Sequence, residues 1–350
     1  MAAKKLRTVE VGRGIAACAV VAFHANGAAK IVGLSSSPWA GPLQNGVDFF
    51  FVLSGFIIFY VHRHDIGHAE LAAEYLWKRF VRLFPLLWFV ACGWMILRSV
   101  LAEPPSLNQI GTSLLLYPSL EKPIPAVVWT LRHELLFYLA FCAAIVNRWA
   151  GISLFAIWIA AVLAQMVLIA NGTPLVGVPS LLFSSFVIDF VLGAGVAMLA
   201  DRWLVRSWVP LIIGAALVIA FGVLSVAYDF DRLGVLDYTS INTLFLPVNG
   251  LAFAILLYGM LCVEDMVEVP EWAMLLGAAS YAIYLVHVPA NSIFQSGAAK
   301  LGEGFGHAAI FLIGIGAGVI VHLLIERRVS GYLRARSPFA SRLKVVKSQG

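Results

Sequence analysis

Apolar stretches long enough to cross a lipid bilayer recur along the 350-residue sequence, and no other feature restricts its possible folds as strongly. Each stretch approaches the roughly 20 residues that span a hydrocarbon core of about 30 Å. Backbone polar groups find no water inside a bilayer, so such segments are helical. The sequence therefore predicts an all-α integral membrane protein with about ten transmembrane helices in one bundle. The predicted spans are 9–33, 46–62, 83–101, 127–147, 150–170, 179–200, 209–227, 241–262, 273–293 and 307–326.

Composition agrees with a bilayer as the solvent. The chain is 61% apolar and 12% charged, whereas soluble domains are about 25% charged. The sequence has no basic stripe with interleaved aromatic residues, which is the pattern that would indicate a nucleic-acid partner. No long linker divides the chain, so we expect a single membrane domain over 1–350, with spans over about 9–330 and a basic cytoplasmic tail at 331–350. The shorter stretch 107–118 is expected to lie at, or dip into, the outer surface.

The positions of lysine and arginine predict the orientation, because cytoplasmic loops of membrane proteins are enriched in both residues. Of the 24 lysines and arginines, Arg13 and Arg132 are counted within the spans and 17 flank the side that carries both termini. Five flank the other side, including Lys30 and Arg98 at the ends of their spans. We therefore expect both termini in the cytoplasm.

The first predicted span contains two ionisable residues, Arg13 and His24. They are 11 residues apart, which is close to three helical turns, so both lie on one face with an axial separation of about 16 Å. Ionisable groups inside a membrane are costly and usually face a cavity or a partner. One face of this helix therefore offers a cation near its inner end and a titratable imidazole deeper in the bilayer. A packing histidine that bonds a neighbouring helix is the alternative.

The fourth predicted span places Arg132, His133 and Glu134 about two turns below its outer end. Counted at about 1.5 Å per residue, the depth of Glu134 matches that of His24. A carboxylate that orients a histidine base is a common catalytic arrangement. We therefore expect Glu134 to orient His24, with a structural ion pair between Glu134 and Arg132 or Arg13 as the alternative.

Three cations, Lys78, Arg79 and Arg82, gather just before the third predicted span. Arg79 and Arg82 are three residues apart and are neighbours on a helical face. Guanidinium groups suit phosphate, so the cluster is a candidate anion site. Positive-inside topology alone could also explain it.

Other polar residues in the spans are candidates for supporting roles. Asp48 lies at the outer boundary of the second span and Ser54 lies in mid-membrane, where a Ser-Gly pair usually indicates close helix packing. Asp189 could contact substrate or brace a helix. The remaining candidates are aromatic or imidazole groups of the fourth and ninth spans: Trp129, Tyr138, Tyr281, Tyr284 and His287.

A histidine-rich segment, with His62, His64 and His68, begins at the last residue of the second span. Three imidazoles could hold a metal in principle, but no further ligand spacing supports a site. We therefore expect a solvated loop and no metal.

Five motifs in order resemble the acyltransferase-3 family of bacterial membrane proteins, and the resemblance covers nearly the whole chain. They are Arg13-x10-His24, GVDFFFVLSGF at 46–56, Arg79-x2-Arg82-x2-Pro85, Trp129-x-Leu131-x2-Glu134-x2-Phe137-Tyr138 and Ser280-Tyr281-x2-Tyr284-Leu285-x-His287. Many members carry a second acid after the glutamate of the fourth motif, where this chain has Leu135.

The resemblance implies transfer of an acyl group, expected to be acetyl, from cytoplasmic acyl-CoA to a hydroxyl of a cell-surface or lipid-linked glycan. It implies that Arg13 and His24 are essential and that Arg79 and Arg82 serve the donor. With Lys78 these cations would hold the CoA phosphates. Acetyl-CoA is then a substrate and no permanently bound cofactor is expected. The resemblance also implies a location in the inner membrane of a bacterium. The alternative from a different class is a proton-coupled transporter or flippase of a lipid-linked glycan.

Overall fold

A computed structural model describes residues 6–101, 103–228 and 237–339. In these ranges the regular structure is entirely helical, with short 3₁₀ turns between α-helices and one π-helical turn, His322–Glu326, near the end. The α-helices are α1 Arg7–Ile31, α2 Gly46–His62, α3 Ala72–Leu101, α4 Leu107–Leu115, α5 Trp129–Val146, α6 Arg148–Ala170, α7 Val178–Leu182, α8 Phe186–Trp203, α9 Val209–Ala227, α10 Leu246–Cys262, α11 Glu271–Ala299, α12 Glu303–Val321 and α13 Arg327–Ala335.

Ten helical segments in the described residues are long and apolar enough to cross a membrane. Each overlaps one of the ten predicted spans, so this part of the prediction is confirmed. The short helix α4 coincides with the stretch 107–118 that was too short to span. Its Ser106 cap accepts from the backbone of Gln109, whose side chain accepts from the backbone of Ser106.

The third span differs from the prediction at its beginning. It was expected to start at residue 83, after a basic loop, but α3 already begins at Ala72 and continues past Pro85. Lys78, Arg79 and Arg82 therefore lie inside a helix rather than before it. Charge hid this part of the helix, because a hydropathy criterion rejects a turn that carries three cations even when its other face is apolar.

Glycines allow the central helices to approach at backbone distance. A Cβ on Gly277 of α11 would lie 2.1 Å from the carbonyl oxygen of Glu10 in α1, and one on Gly14 would lie 3.1 Å from the nitrogen of Gly277. A Cβ on Gly55 of α2 would lie 1.9 Å from the carbonyl oxygen of Phe190 in α8. Small residues at such crossings fix the register between helices.

The start of α1 and the start of α11 lie at the same end of the bundle, which we call the terminal end. The backbone nitrogen of Arg7 donates to Glu264, and its guanidinium pairs with Glu271 at 3.3 Å. Helix α13 also lies at this end, because its Arg334 lines the same cavity as Arg13, which is near the start of α1. Arg82 of α3 pairs with Glu326, beside the start of α13. The opposite end, where α1 finishes and α5 begins, is the distal end.

Candidate active site

A cavity of about 560 Å³, here the terminal cavity, opens among α2, α3, α5 and α11. All four predicted donor cations line it, together with four side chains expected to support the site on other helices. These eight residues are Arg13, Lys78, Arg79, Arg82, Ser54, Tyr138, Tyr281 and Tyr284. The structure thus brings together residues from all five sequence motifs.

Three of the four cations already have a carboxylate partner. The pairs are Arg13–Glu10 at 3.0 Å, Lys78–Glu74 at 2.8 Å and Arg82–Glu326 at 3.2 Å. The guanidinium of Arg82 also lies 4.7 Å from the ring centroid of Tyr281. A nearby carboxylate offsets much of a cation's field toward a ligand, so these three cations attract an anion less strongly than their formal charges indicate.

Arg79 is held differently. In the described residues its hydrogen bond goes from Nη2 to Nε2 of His62, at 3.1 Å, and its guanidinium lies 5.6 and 5.5 Å from the ring centroids of Tyr75 and Tyr138. Because guanidinium only donates, Nε2 of His62 carries no proton, and Nδ1–H donates to Asp65 at 2.6 Å. Nε of Arg79 is buried and has no partner among the described residues. Arg79 is therefore a positioned cation whose partners here are neutral rings.

His62 does not lie in a solvated loop, so that expectation is wrong for this residue. It ends α2 with only 2% of its surface exposed, because its ring packs edge-on against Tyr75. His64 and His68 lie in the connection to α3, and His68 is exposed as expected. No group of three possible metal ligands was found among residues 6–101, 103–228 and 237–339.

Glu134 lies in the terminal cavity, and the structure does not pair it with His24. Its Oε1 accepts from Ser54 at 3.1 Å and from the hydroxyl of Tyr138. Equal depth along two helices does not make two residues neighbours, because α5 turns this carboxylate toward α2. The alternative ion pair with Arg132 is also absent from the described contacts, since Arg132 donates to the carbonyl oxygens of Ser119 and Glu121.

A second cavity of about 260 Å³, the distal cavity, contains His24. Aromatic rings and neutral polar groups make up most of its lining. They are Phe23, Trp129, Phe186, Gln44, Tyr238, Ser240, Asn242 and Thr243, with Asp237 as an acidic member. Oε1 of Gln44 is buried without a partner in the described residues, so it can accept a hydrogen bond from a ligand.

The ring of Tyr238 is fixed at the wall of the distal cavity. Its hydroxyl lies 3.2 Å from Nε2 of His133, which is 3% exposed. Burial raises the pKa of the Tyr238 phenol, so the hydroxyl stays protonated and forms a hydrogen bond with the imidazole. His133 therefore supports a wall of this cavity and does not line it.

The neighbour of His24 is His287. Nε2 of His287 lies 3.1 Å from Nδ1 of His24, with the ring centroids 4.9 Å apart. His287 is completely buried and lines neither cavity. The imidazole that faces the distal cavity is therefore backed by a second imidazole rather than by the expected carboxylate.

The two cavities adjoin through shared wall residues. Val47 and Tyr284 line both of them. The hydroxyl of Tyr284 lies 2.9 Å from Oγ1 of Thr130 and donates to the carbonyl oxygen of Val127 at 3.2 Å. Tyr284 therefore stands between the terminal cavity, which contains the cations, and the distal cavity, which contains the imidazole of His24.

Two carboxylates flagged in the sequence lie outside both cavities. Asp48 is fully buried and accepts from Nδ2 of Asn249 at 2.9 Å, so it joins α2 to α10 rather than lying at an open boundary. Asp189 is also fully buried, and a Cβ on Gly250 would lie 1.9 Å from its Oδ1. Both carboxylates therefore lie between packed helices.

Several residues of the site were missed from the sequence. Arg334 of α13 lines the terminal cavity, although its stretch was expected to be a basic tail; residues 340–350 of that tail lie outside the described ranges. His62 was assigned to a loop, and Gln44 and Tyr238 lie outside the predicted spans. Intramembrane charge was the signal used, and these residues carry either no charge or a charge outside the spans.

The comparison with protein families defines the class. The model of the acyltransferase domain of the acyltransferase-3 family matches residues 6–327, nearly the whole chain, so the chain belongs to this family and is an acyltransferase. It is similar to the exopolysaccharide production protein ExoZ of Rhizobium meliloti (strain 1021), with 28% identity over 315 residues that cover 83% of this chain and 90% of that protein. No solved structure matches the chain significantly.

Proposed function

We propose that the protein transfers an acyl group, expected to be acetyl, from acyl-CoA to a hydroxyl of an exopolysaccharide or of its lipid-linked precursor. One observation carries the proposal: a cavity with cations adjoins a cavity with an imidazole. Membership of the acyltransferase family supports the reaction class. The relative's name supports exopolysaccharide as the acceptor class.

The donor would enter the terminal cavity. CoA carries several phosphates, and guanidinium groups bind phosphate through paired hydrogen bonds. Arg79 offers the positioned cation, while Arg13 and Arg82 could release their glutamates to a phosphate. The pantetheine arm would run along α1 toward His24, a distance of about 16 Å at 1.5 Å per residue, and pass between Val47 and Tyr284.

The acceptor would enter the distal cavity. Sugars present many hydroxyls and apolar C–H faces, so they suit a lining of aromatic rings and neutral hydrogen-bonding groups. The unpartnered Oε1 of Gln44 fits a hydroxyl donor. This arrangement makes the terminal end cytoplasmic and the distal end periplasmic, in a bacterial inner membrane.

His24 would act as the base in the transfer step. Its imidazole takes the proton of the acceptor hydroxyl as the oxygen attacks the thioester carbonyl. The C–O ester bond forms, the C–S bond breaks, and the departing thiolate of CoA receives the proton. A covalent variant passes the acyl group through His24 first. Glu134 contacts the donor compartment in this scheme and is not the partner of the base.

Mass spectrometry of surface glycans from cells with and without the gene tests the proposal. The expected result is the loss of one acyl mass increment per modified sugar, restored by the wild-type gene but not by His24→Asn. Glycans that reach the surface fully acylated without the protein would overturn it. Loss of surface glycan with an unchanged acyl content of its lipid-linked precursor would instead favour a flippase.

A further inference from the structure

We propose that His287 is a positioning residue that, together with the carbonyl oxygen of Val20, fixes the tautomer of His24, leaving Nε2 of His24 unprotonated toward the distal cavity. The inference rests on the proposed function, because it concerns how the base of that reaction is prepared. It replaces the carboxylate expected behind the base with a neutral imidazole.

Two backbone carbonyls determine where the protons lie. Nδ1 of His24 is 3.0 Å from the carbonyl oxygen of Val20, and Nδ1 of His287 is 3.0 Å from that of Ile283. A carbonyl oxygen only accepts, so each Nδ1 carries a hydrogen in the neutral ring. Nε2 of both rings is then unprotonated, because a neutral imidazole carries one hydrogen.

The contact between the rings follows from this assignment. Because Nε2 of His287 is unprotonated, it accepts a hydrogen bond from Nδ1–H of His24 at 3.1 Å. The carbonyl oxygen of Val20 accepts from the same N–H. The opposite tautomer of His24 would set the lone pair of Nδ1 against the oxygen of Val20. Among the described residues both hydrogen bonds of His24 are made by Nδ1, so Nε2 is the nitrogen that a hydroxyl in the distal cavity can reach.

A glycine contact ten residues earlier in the same two helices sets the register that brings the two histidines together. Gly14 and Gly277 touch where α1 and α11 cross at backbone distance. His24 and His287 each lie ten residues beyond these glycines, with the same sequence offset of 263. Parallel helices with equal rise keep such an offset, so the small residues place the two imidazoles side by side.

A neutral partner suits a base inside a membrane. A carboxylate behind His24 would itself be a buried charge and would cost several kcal/mol unless paired. His287 adds no charge in the resting state. When His24 gains a proton at Nε2, the lone pair of His287 and the carbonyl of Val20 both accept from its Nδ1–H, and hydrogen bonds to a charged donor are the stronger kind.

The test compares two substitutions of His287 in the full-length protein in lipid nanodiscs. His287→Gln keeps an acceptor that reaches the position of Nε2, whereas His287→Leu keeps the bulk without an acceptor. We expect His287→Leu to lower kcat about 10- to 150-fold, the effect of one hydrogen bond to a charged group, with KM for acetyl-CoA unchanged. His287→Gln should stay within about threefold of wild type. A purely structural role would reverse the order, because a buried amide is less favourable than leucine.

Solid-state ¹⁵N NMR of histidine-labelled protein gives a readout independent of activity. The signals of His24, identified by their loss in His24→Asn, should show Nδ1 protonated and Nε2 bare. A protonated Nε2 on neutral His24 would overturn the inference even if His287→Leu failed to fold. Equal kcat for His287→Leu and wild type would also overturn it. If His24→Asn itself retained full transfer, the proposed base would be wrong, which is a separate failure.

Discussion

Replacing Arg79 with glutamine is expected to weaken acyl-CoA binding more than replacing its neighbour Lys78 with glutamine does. Lys78 has a carboxylate partner, whereas the partners of Arg79 in the described residues are His62 and the rings of two tyrosines. The charge of Arg79 is therefore less offset, and two aromatic faces hold the guanidinium in place before the donor arrives. A pre-positioned group loses little conformational freedom on binding.

The magnitude follows from the type of bond. A hydrogen bond to a charged group contributes about 1.5–3 kcal/mol, and about 1.4 kcal/mol corresponds to a factor of ten in Kd. Arg79→Gln should therefore raise the Kd for acetyl-CoA about 10- to 150-fold. Lys78→Gln is the matched control, since it removes the same formal charge from the adjacent position. Its side chain is 46% exposed and paired, so we expect a change of less than about threefold.

Equilibrium binding of radiolabelled acetyl-CoA to the nanodisc protein measures both values. Acetyl-pantetheine, which carries the thioester but no phosphate, serves as a second ligand. The effect of Arg79→Gln should disappear with this ligand if the guanidinium binds phosphate. Equal losses for the two ligands, or equal losses for Arg79→Gln and Lys78→Gln with acetyl-CoA, would refute the reasoning.

Three further outcomes are expected. A reporter active only in the periplasm, fused after Gly350, should be silent, and strong activity would reverse the orientation. Gly277→Val should destabilise the protein by several kcal/mol, because its Cβ meets the backbone of Glu10. Gly297→Ala, with open space at its Cβ, should leave the stability unchanged. Equal melting temperatures for the two variants in thermal melts would contradict this expectation. Glu134→Leu removes the acceptor of two hydroxyls in the terminal cavity, so it should raise KM for acyl-CoA. A loss confined to kcat would instead assign this carboxylate to the transfer step, as the partner of the catalytic base.

The ten spans could be predicted from the sequence because length and apolarity are local properties. Each predicted span overlaps a helix, and the largest error in a span boundary, at α3, occurs where the cations lie. The terminal cavity was also anticipated in part, since Arg13, Arg79 and Arg82 are all in its wall. Charge placed inside or beside an apolar helix is costly, so it marks a cavity even before the neighbours are known.

The pairings could not be predicted in the same way. Depth was counted along isolated helices, and depth alone does not say which helices touch. Glu134 therefore seemed to match His24, although it bonds Ser54, while the actual neighbour of His24 is 263 residues away in sequence. The signal that could have paired His287 with His24 is the pair of glycines, Gly14 and Gly277, each ten residues before its histidine.

The central claim is that His24 performs the transfer, and acyl transfer by purified His24→Asn protein tests it most directly. Wild type and variant in nanodiscs would receive radiolabelled acetyl-CoA and a lipid-linked glycan precursor, with acetyl-CoA binding measured on the same samples. Asparagine can still hydrogen-bond but cannot take up a proton near neutral pH. We predict intact donor binding and a transfer rate lower by about 10²–10⁴-fold, the usual cost of a lost general base. A variant that binds acetyl-CoA and still acylates the glycan at more than about a tenth of the wild-type rate would contradict the account.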